Sequence, residues 1–363
     1  MRVSQHYNSN AEGFSLIEIL VSLVISLLIL GGAITIMINN QRHYRENDDF
    51  GRLQENARFA LNLITGDIRL AGYWGCRITS PNNLLNAPVG TLLAATDPID
   101  GMEQDTAFWS RQGSAEVGGM ILAGTDAITI RRARNRGAPI VADMAGISDP
   151  ITASNAPFAN GQLGIIYNCD GADVFQSQVA GNTITYPTGA GLVPGNINNA
   201  LSTAYKQSET YLNDPAADPQ GLTAKTYVAA FDAVRYFVGL SVDNPNGRPV
   251  LWRQYHDGTG VITQELVEGV DNMQILYGED NNDDDAADNF LNANAVADWD
   301  NVVAVKVTLL VSTVDEYGAE VDTRTYDVYS TPGNTGDDIG NYGDRRSRRL
   351  VTASVLMRNL QFK

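Results

Sequence analysis

The chain has 363 residues, with 42 acidic side chains against 25 lysines and arginines and a formal net charge of −17. Such a surface repels polyphosphate and argues against a general nucleic-acid binder. With three histidines and two cysteines, the chain has little material for metal or nucleophile chemistry. It carries no G-x-S-x-G, P-loop, H-E-x-x-H or zinc-type cysteine cluster.

The first element is the run AEGFSLIEILVSLVISLLILGGAITIMI, Ala11 to Ile38. From Phe14 to Ile38 a helix would span roughly 38 Å, enough to cross a hydrocarbon core of about 30 Å with some tilt. A signal-peptide core is shorter and precedes a small-x-small cleavage site. Here Asn39, Asn40, Gln41 and Arg42 follow instead, so the segment is expected to stay in the membrane. One carboxylate, Glu18, sits inside the run, and no lysine or arginine lies between Gly13 and Asn40. A carboxylate at the centre of a membrane helix costs roughly 2.5–3.5 kcal/mol, and less near an end. Cutting after Gly13 would give Phe14 a free amine, and positions 14 and 18 share a helix face. The amine of one copy would then neutralise the acid of its neighbour and favour helices packed side by side.

Gly13-Phe14-Ser15-Leu16-Ile17-Glu18, followed by the apolar run, resembles the class III signal of type IV prepilins and type II secretion pseudopilins. The resemblance implies that a prepilin peptidase removes residues 1–13 by cutting between Gly13 and Phe14. It further implies that Phe14 is N-methylated and that Glu18 guides assembly. The plain alternative is a signal anchor with an incidental glutamate. The leader departs from the usual pattern, because Glu12 stands where a basic residue is common. Arg2 on one side and Arg42 and Arg45 on the other leave the positive-inside count neutral or slightly contrary. An N-terminus in the cytoplasm and a head in the periplasm therefore rest on the resemblance and on the cysteines.

Helical periodicity continues through Leu53, Ala57, Ala60, Leu61, Ile64, Ile68 and Ala71, and Gly72 and Gly75 end it. Asn47, Asp48, Asp49 and Gly51 predict a kink or melted turn in the middle. The chain thus divides into a leader (1–13), a membrane and assembly helix (14–38), its amphipathic continuation (39–72) and a globular head (73–363). RLQENARFALNLITGDIRLAGYWGC resembles the ectodomain start of PilW-type minor pilins. NCDGADVFQ, LSTAY, RPVLWRQ, ELVEGVDNMQILYGED, VADWDNVVAVKVTLLV and RRLVTASVLMRNL follow in the same order. The implied fold is α+β, a long N-terminal helix carrying a large β-rich pilin-like head of one or two lobes.

Cys76 and Cys169 are the only cysteines, and outside the cytoplasm a disulfide between them is expected; the alternative is two buried thiols. Strands are predicted at 127–132, 226–242, 249–255, 261–267, 272–278, 302–313, 323–330 and 351–357 from β-branched and aromatic content. Two stretches, 79–115 and 187–222, read as long surface excursions. The arginine clusters 131–136 and 345–349 read as solvated strand ends beside acidic neighbours. His256 reads as a strand-end residue.

In EDNNDDDAAD (279–288), Asp280, Asn282, Asp284 and Asp288 occupy positions 1, 3, 5 and 9 of a D-x-[DN]-x-[DN] calcium loop. Asp285 stands where such loops place glycine, and position 12 is Leu291, not glutamate. A solvated acidic turn is the alternative.

The resemblance implies a non-enzymatic minor pilin that primes a type IV pilus and sits at its tip. Such a pilus serves twitching motility, adhesion or DNA uptake. The implied partners are other minor pilins, the major pilin, a tip-associated adhesin, the prepilin peptidase, the inner-membrane assembly platform and the membrane itself. No cofactor is expected beyond possible Ca2+. Other readings are a type II secretion pseudopilin, an adhesin using the long loops, and a membrane-anchored carbohydrate hydrolase. The last predicts a cleft with two inward carboxylates.

Overall fold

The computed structural model describes residues 15–74, 80–87, 91–94, 96–103, 121–189, 191–210, 223–242, 248–316, 318, 320–329 and 338–359. Helix α1 runs from Leu16 to Ile68 without interruption. Ser15 caps it, its hydroxyl accepting the Glu18 N–H at 3.3 Å. The predicted kink at 47–51 is absent. Asp48 and Arg52, one turn apart, form an ion pair at 3.0 Å, and nothing crowds Gly51. The helix ends four residues before Gly72, which takes the left-handed conformation (φ 67°) that favours glycine and donates to the Arg131 carbonyl at 2.9 Å. The last turn is thereby tied to the head.

The principal strands of the head are β1 (Ile99–Met102), β2 (Ala127–Ala133), β3 (Leu163–Tyr167), β4 (Ala172–Gln176), β5 (Tyr227–Leu240), β6 (Pro249–His256), β7 (Val261–Glu268), β8 (Val270–Glu279), β9 (Asn289–Leu291), β10 (Val302–Ser312) and β11 (Arg348–Leu356). β5 organises the larger sheet. Its first half pairs antiparallel with β3, and its second half lies between β2 and β6. β4 extends this sheet beyond β3, β7 beyond β6 and β1 beyond β2. The smaller sheet has the order β9-β8-β10-β11, all antiparallel. The chain passes between sheets at Gly269, whose φ is 76°. A Cβ there would stand 2.5 Å from the Ser312 carbonyl oxygen, so only glycine fits without a shift.

Both sheets meet α1 in one apolar core. Leu53, Ala57, Ala60, Ile64 and Ile68 of the helix pack with Val234, Tyr236 and Val238 of β5, Met273, Ile275 and Tyr277 of β8, and alternate residues of β10 from Val305 to Val311. Two-residue alternation assigns the opposite face of β5 to other partners. There Phe237 stacks on Trp252 at 6.2 Å with rings 3° apart. Two further clusters, around Phe175 and Tyr205 and around Trp74 and Phe231, fill the end of the head at β3 and β4.

The predicted strand at 323–330 shrinks to Thr325–Asp327. The β3–β4 hairpin was not foreseen, although its Asp170-Gly171 turn is a strong hairpin signal. Every residue of both strands is buried, so no alternation marks them.

Candidate functional site

Gly13 and Phe14 lie outside the described residues. Glu18 occupies the first turn of α1. An acid there is favoured by the helix dipole and by the Ser15-to-Glu18 capping spacing, which gives it a local structural reason to be acidic. Its side chain is exposed, and among the described residues no cation pairs with it. Every large apolar residue in the run that follows is exposed, from Leu16 at 79 % to Ile38 at 60 %. The hydroxyls in this run are satisfied inside the helix: Ser22 donates to the Ile19 carbonyl and Thr35 to the Gly31 carbonyl, each at 2.9 Å. That arrangement lets polar side chains sit in hydrocarbon.

Burial begins at Asp49, 8 % exposed, and continues down the apolar face to Ile68. Burial and the nearby Asp315 push the Asp49 carboxyl above its ordinary range. Further down, Asp67 accepts the Tyr236 hydroxyl at 2.6 Å and pairs with Arg132 at 2.8 Å. Asn56 donates to the Glu268 carbonyl and Asn359 to the Ala71 carbonyl. The lower helix is therefore locked to the head at both ends of its buried face.

The two arginine clusters are solvated only in part: Arg134, Arg136, Arg345 and Arg349 are exposed, whereas Arg131 and Arg348 are buried. Arg131 is fully buried, with its guanidinium on Asp100 at 2.7 Å and on the Asp97 and Leu92 carbonyls. Arg134 forks onto Asp232, and Arg136 lies over the Tyr227 ring. Arg348 is buried between Asp271 (2.6 Å), Asp322 (3.2 Å) and Asp344 (2.6 Å), with the Tyr342 ring 3.8 Å away. Burial raises the Asp271 carboxyl above its usual range. For Asp322 burial acts the same way, but hydrogen bonds from Arg324, Tyr326 and Arg348 outweigh it and hold the group well below that range. Burial also opposes ionisation of Asp344, whose bond from Arg348 prevails and lowers it. The expectation of acidic neighbours was right, whereas the expectation of solvation was wrong for Arg131 and Arg348.

The 279–288 loop is knit together by its own acids. Asp280 is buried, and its carboxylate accepts the N–H groups of Asn282, Asp284 and Asp285. Burial opposes its charge, but those amides hold its carboxyl below the ordinary value. Asn282 donates to Asp284 at 3.3 Å and to Asp288 at 3.1 Å. Asp285 does adopt the glycine-like conformation, φ 64°, as does Asp283 at 61°. Among the described residues no group of three or more histidines, cysteines or acids is disposed to hold a metal ion.

Cys169 is disulfide-bonded, and Cys76 lies outside the described residues. His256 ends β6 as expected, its Nε2 2.8 Å from the Val193 carbonyl; burial lowers its pKa. Two pockets, one at Asp149 and one at Glu316, each carry a single carboxylate.

Residues 8–34 match the model described as a prokaryotic N-terminal methylation motif, and residues 235–359 match the type IV pilus-assembly protein W family. Over these two segments the chain is similar to PilW-type pilins. A type IV-like pilin from Thermus thermophilus, TTHA1219, is similar over 86 % of this chain and 98 % of its own at 12 % identity. Its TM-score is 0.34, a likeness too slight to support an argument. No curated protein matches the chain.

The PilW match spans the second half of β5 and everything through β11, which includes the sheet crossing at Gly269 and the Arg348 cluster. The family motifs quoted from the sequence thus hold the fold together. LSTAY, which lies before the match, works likewise. Ser202 and Tyr205 of that motif donate to Asp173 at 2.6 and 2.7 Å, and Asp173 is fully buried on β4. Sequence reasoning missed Asp173 as the partner of that motif, because nothing local connects residues about 30 positions apart.

Proposed function

We propose that this PilW-type chain is a minor pilin that primes a type IV pilus and takes a place at its tip. The observation that carries this reading is the contrast within α1: an exposed apolar run with an uncompensated Glu18 continues directly into a face locked onto the head. A lone membrane anchor needs neither an acid near the start of the run nor a rigid connection to its cargo. A subunit whose helix must pack among others needs both. In this reading the peptidase cuts between Gly13 and Phe14, Phe14 is N-methylated, and its amine pairs with Glu18 of a neighbouring subunit. Partners are the other minor pilins, the major pilin, an adhesin at the tip and the inner-membrane platform. The head faces the periplasm before assembly and the cell surface afterwards, and there Cys169 pairs with Cys76. Deleting the gene should reduce surface pili and twitching. Normal piliation with loss of a type II secretion substrate would assign the chain to the pseudopilins instead.

We also propose that the 279–288 loop binds calcium weakly outside the cell. Asn282 already bridges Asp284 and Asp288, and turning its amide would present an oxygen where it now presents nitrogen. Extracellular modules hold calcium at roughly 0.1–1 mM.

A further inference from the structure

A pocket of about 370 Å³ lies where α1 leaves its apolar run. Ile38, Arg42 and Arg45 form its helix wall, and Glu316, Gly318 and Arg345 form its head wall. Arg42 donates to the Gly318 carbonyl at 3.0 Å and pairs with Glu46 at 3.2 Å. These contacts bring Arg345 beside two helix arginines that are some 300 residues away in the chain. Three guanidiniums thus share one pocket with a single carboxylate, Glu316, in a protein whose net charge is −17. They do so next to the bilayer, on the side where the positive-inside rule disfavours cations.

Depth identifies the ligand. Along a helix, Arg42 lies about 6 Å and Arg45 about 10 Å beyond Ile38, whereas each headgroup layer is roughly 5–8 Å thick. Both arginines can therefore reach phosphate level with their side chains. A guanidinium fork matches two oxygens of a phosphate. Ile38 and the exposed apolar run that precedes it continue the pocket as a surface suited to acyl chains.

We propose that this pocket holds the phosphate headgroup of an anionic phospholipid from the leaflet that α1 leaves. The bound lipid fixes the depth and rotation of the subunit in the membrane before it is drawn into the fibre. The assignment rests on the proposed anchoring of α1 in a bilayer.

The test uses the full-length protein in vesicles of phosphatidylcholine with and without phosphatidylglycerol. Flotation scores insertion, and native mass spectrometry after mild detergent extraction scores lipid retained. Phosphatidylglycerol should be kept in preference to phosphatidylcholine. Arg42→Gln with Arg345→Gln should weaken that preference at least about tenfold, at several-fold per arginine near an anionic surface. Arg58→Gln, on an exposed part of the helix outside the pocket, should leave it unchanged. Insertion with no lipid preference, or a preference the double variant retains, overturns the proposal alone. Displacement of the lipid by an equal concentration of inorganic phosphate assigns the pocket to free phosphate and also overturns it. Failure to float with either vesicle overturns the anchoring reading together with this one.

Discussion

The two halves of α1 are built from similar apolar material and use it oppositely. From Leu16 to Ile38 the large side chains are at least about half exposed, whereas Leu53, Ile64 and Ile68 are 1 % exposed or less. Tertiary packing is not what the upper half is for: its large apolar side chains are exposed, and among the described residues no hydrogen bond joins it to the head before Arg42 reaches Gly318. Its apolar surface is complete on all sides, as a segment surrounded by lipid or by other helices requires. The lower half has one buried stripe, fixed by hydrogen bonds at Asn56, Asp67 and Ala71. Changes in the upper half should therefore alter where the protein goes, and changes in the lower half should alter whether it folds.

The largest effect is expected at the leader. Gly13→Val should abolish processing, read as a precursor that never shortens, while the full-length protein keeps the denaturant midpoint of the unaltered chain. Next, Glu18→Val should leave cleavage intact and lower the amount of protein in sheared fibres by about tenfold or more; a carboxylate in hydrocarbon demands a counter-charge. Equal incorporation of this variant would erase the distinction between the two halves.

In the lower half, Ile64→Ala should cost about 2–5 kcal/mol in denaturant unfolding, with processing unchanged. Arg348→Ala should cost a similar 3–5 kcal/mol, since it strands three carboxylates in or near the core. Asp322 and Asp344 ionise at lower pH in the folded protein than in the unfolded chain. Their contribution is complete above the unfolded value near pH 3.9 and is lost as pH falls through their folded values. Asp271, raised instead, has the opposite sign. Asp322→Asn should therefore flatten the loss of stability on acidification below about pH 4, measured as the denaturant midpoint against pH. The smallest effect concerns the 279–288 loop, where millimolar calcium should raise the melting temperature by a few degrees through mass action. Asp280→Ala with Asp284→Ala should remove that shift, and an equal shift with magnesium would make the loop a solvated turn.

Much of this contrast was legible in the sequence because it is periodic. An apolar run long enough for a membrane, a three-to-four-residue stripe from Leu53 to Ile68 and the two-residue alternation of Val303 to Val311 each carry their own geometry. The Gly-Phe-Ser-Leu-Ile-Glu motif needed no structure at all. What stayed hidden depends on distant partners. Arg131 and Arg348 look like surface charge until Asp100 and Asp271 are placed beside them. The kink expected at 47–51 was a local inference from weak helix formers, and the helix runs straight through them, with Asp48 paired to Arg52 and Leu53 packed into the core. β3 and β4 escaped because strands buried on both faces show no alternation. The pocket at Arg42 and Arg345 joins the two ends of the sequence, and no window on the chain contains both.

The most direct test of the account is N-terminal mass spectrometry of proteins in sheared pili. The expected result is a chain that begins at Phe14, carries an added methyl on its amine and is present in few copies relative to the major subunit. A chain that keeps residues 1–13, or one that is cut at Gly13 yet found only in the membrane fraction while pili are abundant, would contradict it.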